Sequence, residues 1–474
     1  MKYILGIDVG TQSVKAGLVD LSSMKMAKIS SSNYPSSALQ EPDSIWKATC
    51  DAIKELTDFA EGDSIEVIGL SGQMHGTVLY DGSDNIIGPV INWQDERANN
   101  PSDRFNGKTT VQHMTGLIAP SVFDDLGIDI MASGFFGATL FHIKEFEPAL
   151  FKKINKALLP TDFVRRLLTC GGPYETDVTN AFSTGIFNTR LSEWHSECIE
   201  SLDLPVSILP SVRQPGEISG TIGKTTSDLT GLKTGIPVTV GGGDNQMSMI
   251  GSGAFDSGSP LLINIGTSGQ VCAVIDEYVK IPGVDTRSFV RDKFALVGAG
   301  ITGGICYTWL KNMINSDLSS LGSTELENHK VFSLLDELAE DVPHGCDNLV
   351  FEPFLRGTRR EPTRRGSFSG IGLDNFSLGH RARAVMEGVV RELYDFYNLY
   401  EGVNTGSITG AGNGLVKSDI WCRITAETFN MPLNVMNFEN AVYGAALVAS
   451  EGIGYSKIED GIFEFVKTIE PSRG

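Results

Sequence analysis

The feature that most constrains this chain is an apolar hairpin that occurs twice. The N-terminus reads ILGIDVGTQSVKAGLV, and just past mid-chain comes LLINIGTSGQVCAV. Setting Gly10-Thr11 on Gly266-Thr267 superposes Asp8 on Asn264 and puts an apolar run on both sides of each turn. Such runs around a Gly-Thr turn read as paired strands. Two hairpins of one design, half a chain apart, predict two domains of related topology with their glycine turns facing one cleft. The competing reading is chance similarity between two ordinary hairpin tips.

The two copies differ in charge: only the first carries an acid, Asp8, and a cation, Lys15. An unpaired carboxylate inside an apolar strand is costly, so Asp8 is expected at a strand end facing water or facing something positive. Glycine admits a ligand close to the backbone, and successive turn N–H groups form an anion-binding concavity. Thr11 adds a donor, Lys15 adds charge, and Asp8 could hold a hydrated Mg²⁺. That inventory suits a polyphosphate with its metal. Neither a GxxxxGK[ST] loop nor a GxGxxG after a strand is found.

At 474 residues the chain is too long for one core, and two domains are expected, over residues 1–240 and 241–474. Strand-like and helix-like segments alternate, which predicts a mixed α/β fold. Helical patterning dominates residues 100–215, including GATLFHIKEFEPALFKKI. The Gly/Thr-rich passage GEISGTIGKTTSDLTGLKTGIPVTVGGGDNQ reads as a domain junction. A late helix places Val385, Met386, Val389, Leu393 and Tyr397 at core spacing. A net charge of −20 argues against a nucleic-acid or anionic-membrane partner, and no apolar stretch is long enough to span a bilayer. Seven cysteines without CxxC spacing and an N-terminus unlike a signal peptide point to a cytoplasmic protein.

Four further segments carry chemistry. In VTVGGGDNQMSM, Asp244 follows three glycines where a helix could begin, with Asn245 beside it. A helix N-terminus favours a negative side chain, so Asp244 is expected to be ionised. It reads equally as a general base for an attacking hydroxyl and as a helix cap. In SGQMHG, His75 could donate a hydrogen bond to a polar ligand, with Met74 as an apolar wall, or it is structural. In INWQDER, Trp93 could stack on a sugar or belong to the core, while Asp95 and Arg97 read better as a surface ion pair. SITGAGNGLVKSD reads as strand, glycine-rich turn and helix, where a nucleoside could lie against Gly412 and Asn413. The small residues Gly444, Ala445 and Ala446 permit close approach to a neighbouring helix or to a base. The five arginines of FLRGTRREPTRRGSFSG read as a solvated loop.

Taken in order over nearly the whole chain, GIDVGTQSVKAG, SGQMHG, NWQDER, GGGDNQ, NIGTSGQ, TGAGNG and ENAVYGAA resemble the FGGY family of carbohydrate kinases. The resemblance implies two actin-like (ribonuclease H-like) α/β domains with ATP and sugar meeting between them. It implies Asp244 as catalytic base, Asp8 serving Mg²⁺, and a sugar pocket with Met74, His75, Trp93 and Asn245. Gly10, Thr11, Gln12, Lys15, Gly266 and Thr267 are implied at the phosphates, and Gly410, Ala411, Gly412 and Asn413 at the adenosine. The Met-His pair is similar to that of the ketose kinases, and other segments lean narrowly towards sedoheptulose over xylulose. Gln12 in place of a second Thr, and GTRREP in place of GERTP, are departures from the usual pattern. The partners implied are a ketose and ATP, with a homodimer left open. A nucleotide-driven switch protein of the actin or chaperone type, and a non-catalytic sugar sensor, remain as alternatives.

Overall fold

The computed structural model describes residues 1–60, 64–300, 302–358, 360–361, 363–436 and 439–472. The first hairpin forms as read: Tyr3–Val9 pairs antiparallel with Ser13–Asp20, which pairs with Met26–Asn33. On its other edge Tyr3–Val9 takes Ile65–Gly72 in parallel, and Pro237–Thr239 adds parallel to that. The second hairpin repeats the plan. Leu261–Ile265 pairs antiparallel with Gly269–Ile275, which pairs with Phe294–Gly300. Ile408–Ala411 then adds in parallel, followed by Leu433–Val435. One ribonuclease H-like strand order is thus built twice, one sheet per lobe, and chance similarity of the hairpins is excluded.

The Gly/Thr-rich passage is not a linker. Ile218–Thr221 and Pro237–Thr239 complete the first sheet, with helix Lys224–Thr230 between them. Its glycines serve local turns, such as Gly231 and Gly235 in the left-handed region. The helical reading of the middle region holds, but GATLFHIKEFEPALFKKI splits into Phe136–Phe146 and Pro148–Phe151. Pro148 cannot continue the first helix and starts the second. In the late helix, Leu378–Tyr397, the side chains of Val385, Met386, Val389 and Leu393 are buried as expected.

The lobes are joined by a shared core. Helices Asp244–Gly251 and Asn440–Gly452 cross between the two sheets, and Met247, Ile250, Ala445 and Ala446 pack with Ile4, Val19 and Val67 of the first sheet and Leu262, Val274 and Val297 of the second. Backbone approaches backbone at this crossing. A side chain on Gly444 would strike the Met247 carbonyl, and one on Gly251 the Asn440 carbonyl. Gly6 and Gly69 of the first sheet lie equally close against the carbonyls of Val442 and Ala445. The small-residue reading of Gly444–Ala446 is therefore met by protein, not by a base.

Gly444→Val is expected to lower stability by on the order of 3 kcal/mol or more through overpacking, read from the urea midpoint. Gly116→Ala, an exposed helical position where an added methyl meets nothing, should instead gain up to about 1 kcal/mol. Equal effects at the two positions would contradict this account of the crossing.

Candidate active site

Both Gly-Thr turns lie at the ends of the central strands, where α/β folds gather ligands. In the first, the Gly10 N–H closes on the Ser13 carbonyl at 3.0 Å. Tyr34 donates its hydroxyl to the Gly10 carbonyl, and Gln40 Nε2 donates to the Thr11 carbonyl at 2.7 Å. The carbonyls are thereby tied back into the protein, and Gln12 stands exposed at the tip. Trp93 donates Nε1 to Thr11 Oγ1 at 3.0 Å and is 47% exposed, which rules out the core reading.

Asp8 stands in register with Lys15 on one side and Ser71 on the other. Gly242 pairs with Ser71 on the far side of that strand, which brings the Gly-Gly-Gly-Asp turn to the same strand ends. The Asp8 carboxylate is pushed above its ordinary range by loss of hydration, eased by the Ser71 hydroxyl and Lys15. Its Oδ1 is sealed from solvent without a hydrogen-bond partner.

Asp244 is the first residue of its helix, and Gly243 occupies the capping position, so the helix-cap reading fails. Its Oδ1 accepts the neighbouring Asn245 N–H at 2.7 Å. The expectation that the helix end keeps Asp244 ionised at neutral pH is met only in part. Desolvation in the cleft, together with the charge of Asp8, pushes its pKa up to about 7. Two facing carboxylates, one with an orphaned buried oxygen, form a place that a cation would relieve. Among the described residues no three His, Cys, Asp or Glu side chains gather into a complete metal cage. The donor set therefore fits a Mg²⁺ that keeps waters and takes oxygens from a polyphosphate. Lys15, expected at the phosphates, pairs across the cleft with Glu439, Nζ to Oε2 at 2.7 Å.

In the SGQMHG turn, Met74 is buried against Gly243. His75 adopts a left-handed backbone, φ 73°, which is uncommon for a residue with a side chain. Its N–H donates to Ser183 Oγ at 3.0 Å, and its ring stacks on Phe135 with centroids 4.5 Å apart. Nδ1 lies 2.7 Å from the Ser183 carbonyl. A carbonyl only accepts, so Nδ1 carries a proton and donates it to Ser183. Asn245 is held by Gln270 Oε1 at 3.0 Å and by Arg287 Nη1 at 3.2 Å. Arg287 is in turn fixed by Asp285 at 2.9 Å.

A cavity of about 730 Å³ opens beside the second Gly-Thr turn, its wall including Gly266, Thr267, Tyr307, Phe332 and Asn413. Gly410 does not reach it, being packed between Leu415 and Leu433 inside the sheet. Gly412, at φ 87°, lies so close to Asn264 and the Ile265 carbonyl that no side chain fits there. With Ala411 at the strand end, it shapes the turn rather than the cavity wall.

Several site residues gave no sequence signal. Glu439 and Gln270 lie within quoted segments but carry no pattern of their own, Ser183 lies outside all of them, and Arg287 sits on an ordinary strand. Asp95 and Arg97 form the ion pair expected, at 2.7 Å, but not at the surface: Asp95 is buried. The arginine stretch is not a purely solvated loop: Arg360 pairs with Asp129 of the other lobe, and Arg364 lies over the Phe354 ring at 3.6 Å. Arg359 lies outside the described residues.

Residues 3–251 match the N-terminal domain, and residues 261–451 the C-terminal domain, of the FGGY family of carbohydrate kinases. Xylulose kinase of Bacillus subtilis strain 168 is 28% identical, over 98% of this chain and 92% of that protein. Among solved structures, ligand-bound xylulose kinase of Lactobacillus acidophilus superposes with a TM-score of 0.86 at 26% identity, covering 100% of this chain and 94% of the other. Gluconate kinase of the same organism gives 0.87 at 25% identity, covering 99% and 94%.

The raised pKa of Asp244 has a signed consequence for the metal-free protein. Unfolded, the carboxyl titrates at its ordinary 3.8; folded, at about 7. Between these values the folded chain holds a proton that the unfolded chain releases, so stability falls as pH rises through this window and the full cost is present above it. Asp244→Asn should therefore stabilise the metal-free protein at pH ~8, with the gain vanishing below pH ~4. A helix cap would give the opposite sign. Chemical denaturation at the two pH values separates them.

Proposed function

The chain belongs to the FGGY family of carbohydrate kinases, and from that premise we propose that it transfers the ATP γ-phosphate to the terminal primary hydroxyl of a ketose. That it is an ATP-dependent phosphotransferase with an alcohol acceptor follows from the family. The observation that carries the mechanism is Asp244: a half-buried carboxylate with proton affinity near neutrality, in a cleft whose two lobes each offer a Gly-Thr turn. As general base it takes the proton of the attacking hydroxyl, whose oxygen then displaces ADP from the γ-phosphorus in line. The turns of Gly10-Thr11 and Gly266-Thr267 orient the phosphates, and Lys15 exchanges Glu439 for the incoming charge. Mg²⁺, when bound with ATP near Asp8, would supply charge neutralisation on the phosphoryl group. His75 recognises a sugar hydroxyl, Asn245 offers its amide, and Trp93 covers one face.

We read the acceptor as D-xylulose ahead of sedoheptulose, reversing the lean of the short motifs, because relatives matched along nearly their whole length are xylulose kinases. The heptulose is supported by one feature, a cavity of about 600 Å³ bordered by Phe135, Asp285 and Glu392, which leaves room for a longer chain. A switch protein of the actin type has no use for the His75 and Asn245 arrangement.

One coupled assay with xylulose, sedoheptulose, ribulose and glycerol tests these readings. ATP consumption is expected to require added ketose, with xylulose preferred. Asp244→Ala should cut turnover by roughly 10²–10⁴-fold while ATP binding stays near normal. His75→Ala should act mainly on the sugar KM. Sugar-independent ATP hydrolysis at the full rate would refute the kinase mechanism.

A further inference from the structure

Behind the cleft lies a turn that none of the sequence motifs includes, TDVTNAFS, residues 176–183. It contains a five-residue helix, Val178–Phe182, every residue of which is buried. A helix this short has no stability of its own, so tertiary contacts must hold it. Asp177 caps it, one oxygen accepting the N–H groups of Thr179 at 2.8 Å and Asn180 at 3.0 Å, the other accepting the Asn180 side-chain amide at 2.7 Å. The Thr179 hydroxyl donates to the same Asp177 carboxylate. With its proton committed there, the hydroxyl oxygen accepts the Gly243 N–H at 2.8 Å.

Gly243 is the residue before Asp244 and caps its helix. Three consecutive glycines, Gly241–Gly243, would by themselves leave that carboxylate on a loose tether, since glycine has the most backbone freedom to lose. Strand pairing of Gly242 with Ser71 and of Gly243 with Gly72 restrains one side of the tether. The Thr179 hydroxyl restrains the other. From its far end the same turn holds the sugar-side histidine. Ser183 Oγ accepts the His75 N–H, and the Ser183 carbonyl accepts its Nδ1 proton. Between these ends, Phe182 lies under the Arg287 guanidinium, 5.5 Å from its ring centre, and Arg287 orients Asn245.

We infer that Thr179, oriented by Asp177, is a positioning residue for the base Asp244, and that Ser183 is the corresponding positioning residue for His75. One buried turn thus sets the distance between the group that accepts the proton and the group that recognises the sugar. The inference rests on the reading of Asp244 as general base. A displacement of about 1 Å in a reacting group can cost roughly 10²-fold in rate, so a single backbone hydrogen bond at Gly243 has a measurable role.

The test is steady-state kinetics with D-xylulose and ATP on the full chain. Thr179→Val keeps the shape and removes the hydroxyl; kcat should fall roughly 10- to 100-fold with the KM for ATP changed less than about twofold. Thr179→Ser, which keeps the hydroxyl, should recover most of the loss. Ser183→Ala should raise the sugar KM more than it lowers kcat, a split that mere loosening of the fold would not produce. On an Asp244→Asn background, Thr179→Val should cost no further turnover, because it acts through the missing carboxylate. If the valine variant does not melt cooperatively, Thr179→Ala replaces it with the same expectations. Turnover surviving in Thr179→Val but lost in Asp244→Asn overturns the positioning role alone, as does a serine variant no better than valine or an additive loss in the double variant. Turnover surviving in Asp244→Asn overturns the base assignment itself.

Discussion

The structure depends on one close crossing, that of Asp244–Gly251 with Asn440–Gly452 between the two sheets. Gly251 and Gly444 let the helix backbones touch, and Gly6 and Gly69 let the first sheet lie directly on the second of these helices. A single apolar cluster consequently draws residues from both lobes. Because interiors are close-packed, the lobes cannot change their relation there without opening voids. The cleft is the open space left beyond the crossing, and Asp244 begins one of the two crossing helices. The contact that joins the lobes therefore also aims the Asp244 carboxylate.

The duplicated hairpins show how one backbone design diverges into two tasks. In the first lobe the residue two before the turn is Asp8, a carboxylate with a sealed, unpartnered oxygen, whose charge raises the proton affinity of Asp244. In the second it is Asn264, whose side chain lies against Gly412 and supports the glycine-rich turn beside the cavity of about 730 Å³. A second buried carboxylate there would have no cation to meet. The cleft is held charged but balanced by opposition across it: Lys15 with Glu439 on one side, and Asp129 with Lys280 and Arg360 at the mouth. These cross-lobe pairs are polar and partly solvated, unlike the apolar crossing, and can exchange partners as ligands enter.

Much of the fold was legible because its signals are local. Alternating apolar runs around Gly-Thr specified strands, their recurrence specified two like lobes, and periodicity placed the buried face of Leu378–Tyr397. What misled was equally local. The Gly/Thr-rich passage looks like a linker because glycine and threonine mark turns, yet its strands are completed by pairing with Ile65–Gly72, a partner far off in sequence. The arginine stretch looked solvated because charge alone does not reveal Asp129 on the opposite lobe.

By itself the sequence determined the kinds of groups available: two glycine turns for an anion, one acid in the first hairpin, one acid after three glycines, and a Met-His pair on a turn. Tertiary structure alone decided their chemical states. The helix end that should ionise Asp244 is opposed by lost hydration and by Asp8, and the Ser183 carbonyl fixes a proton on Nδ1 of His75. Lys15 meets Glu439, more than four hundred residues away along the chain. Charge states and tautomers depend on distances between segments, and no local pattern encodes a distance across a cleft.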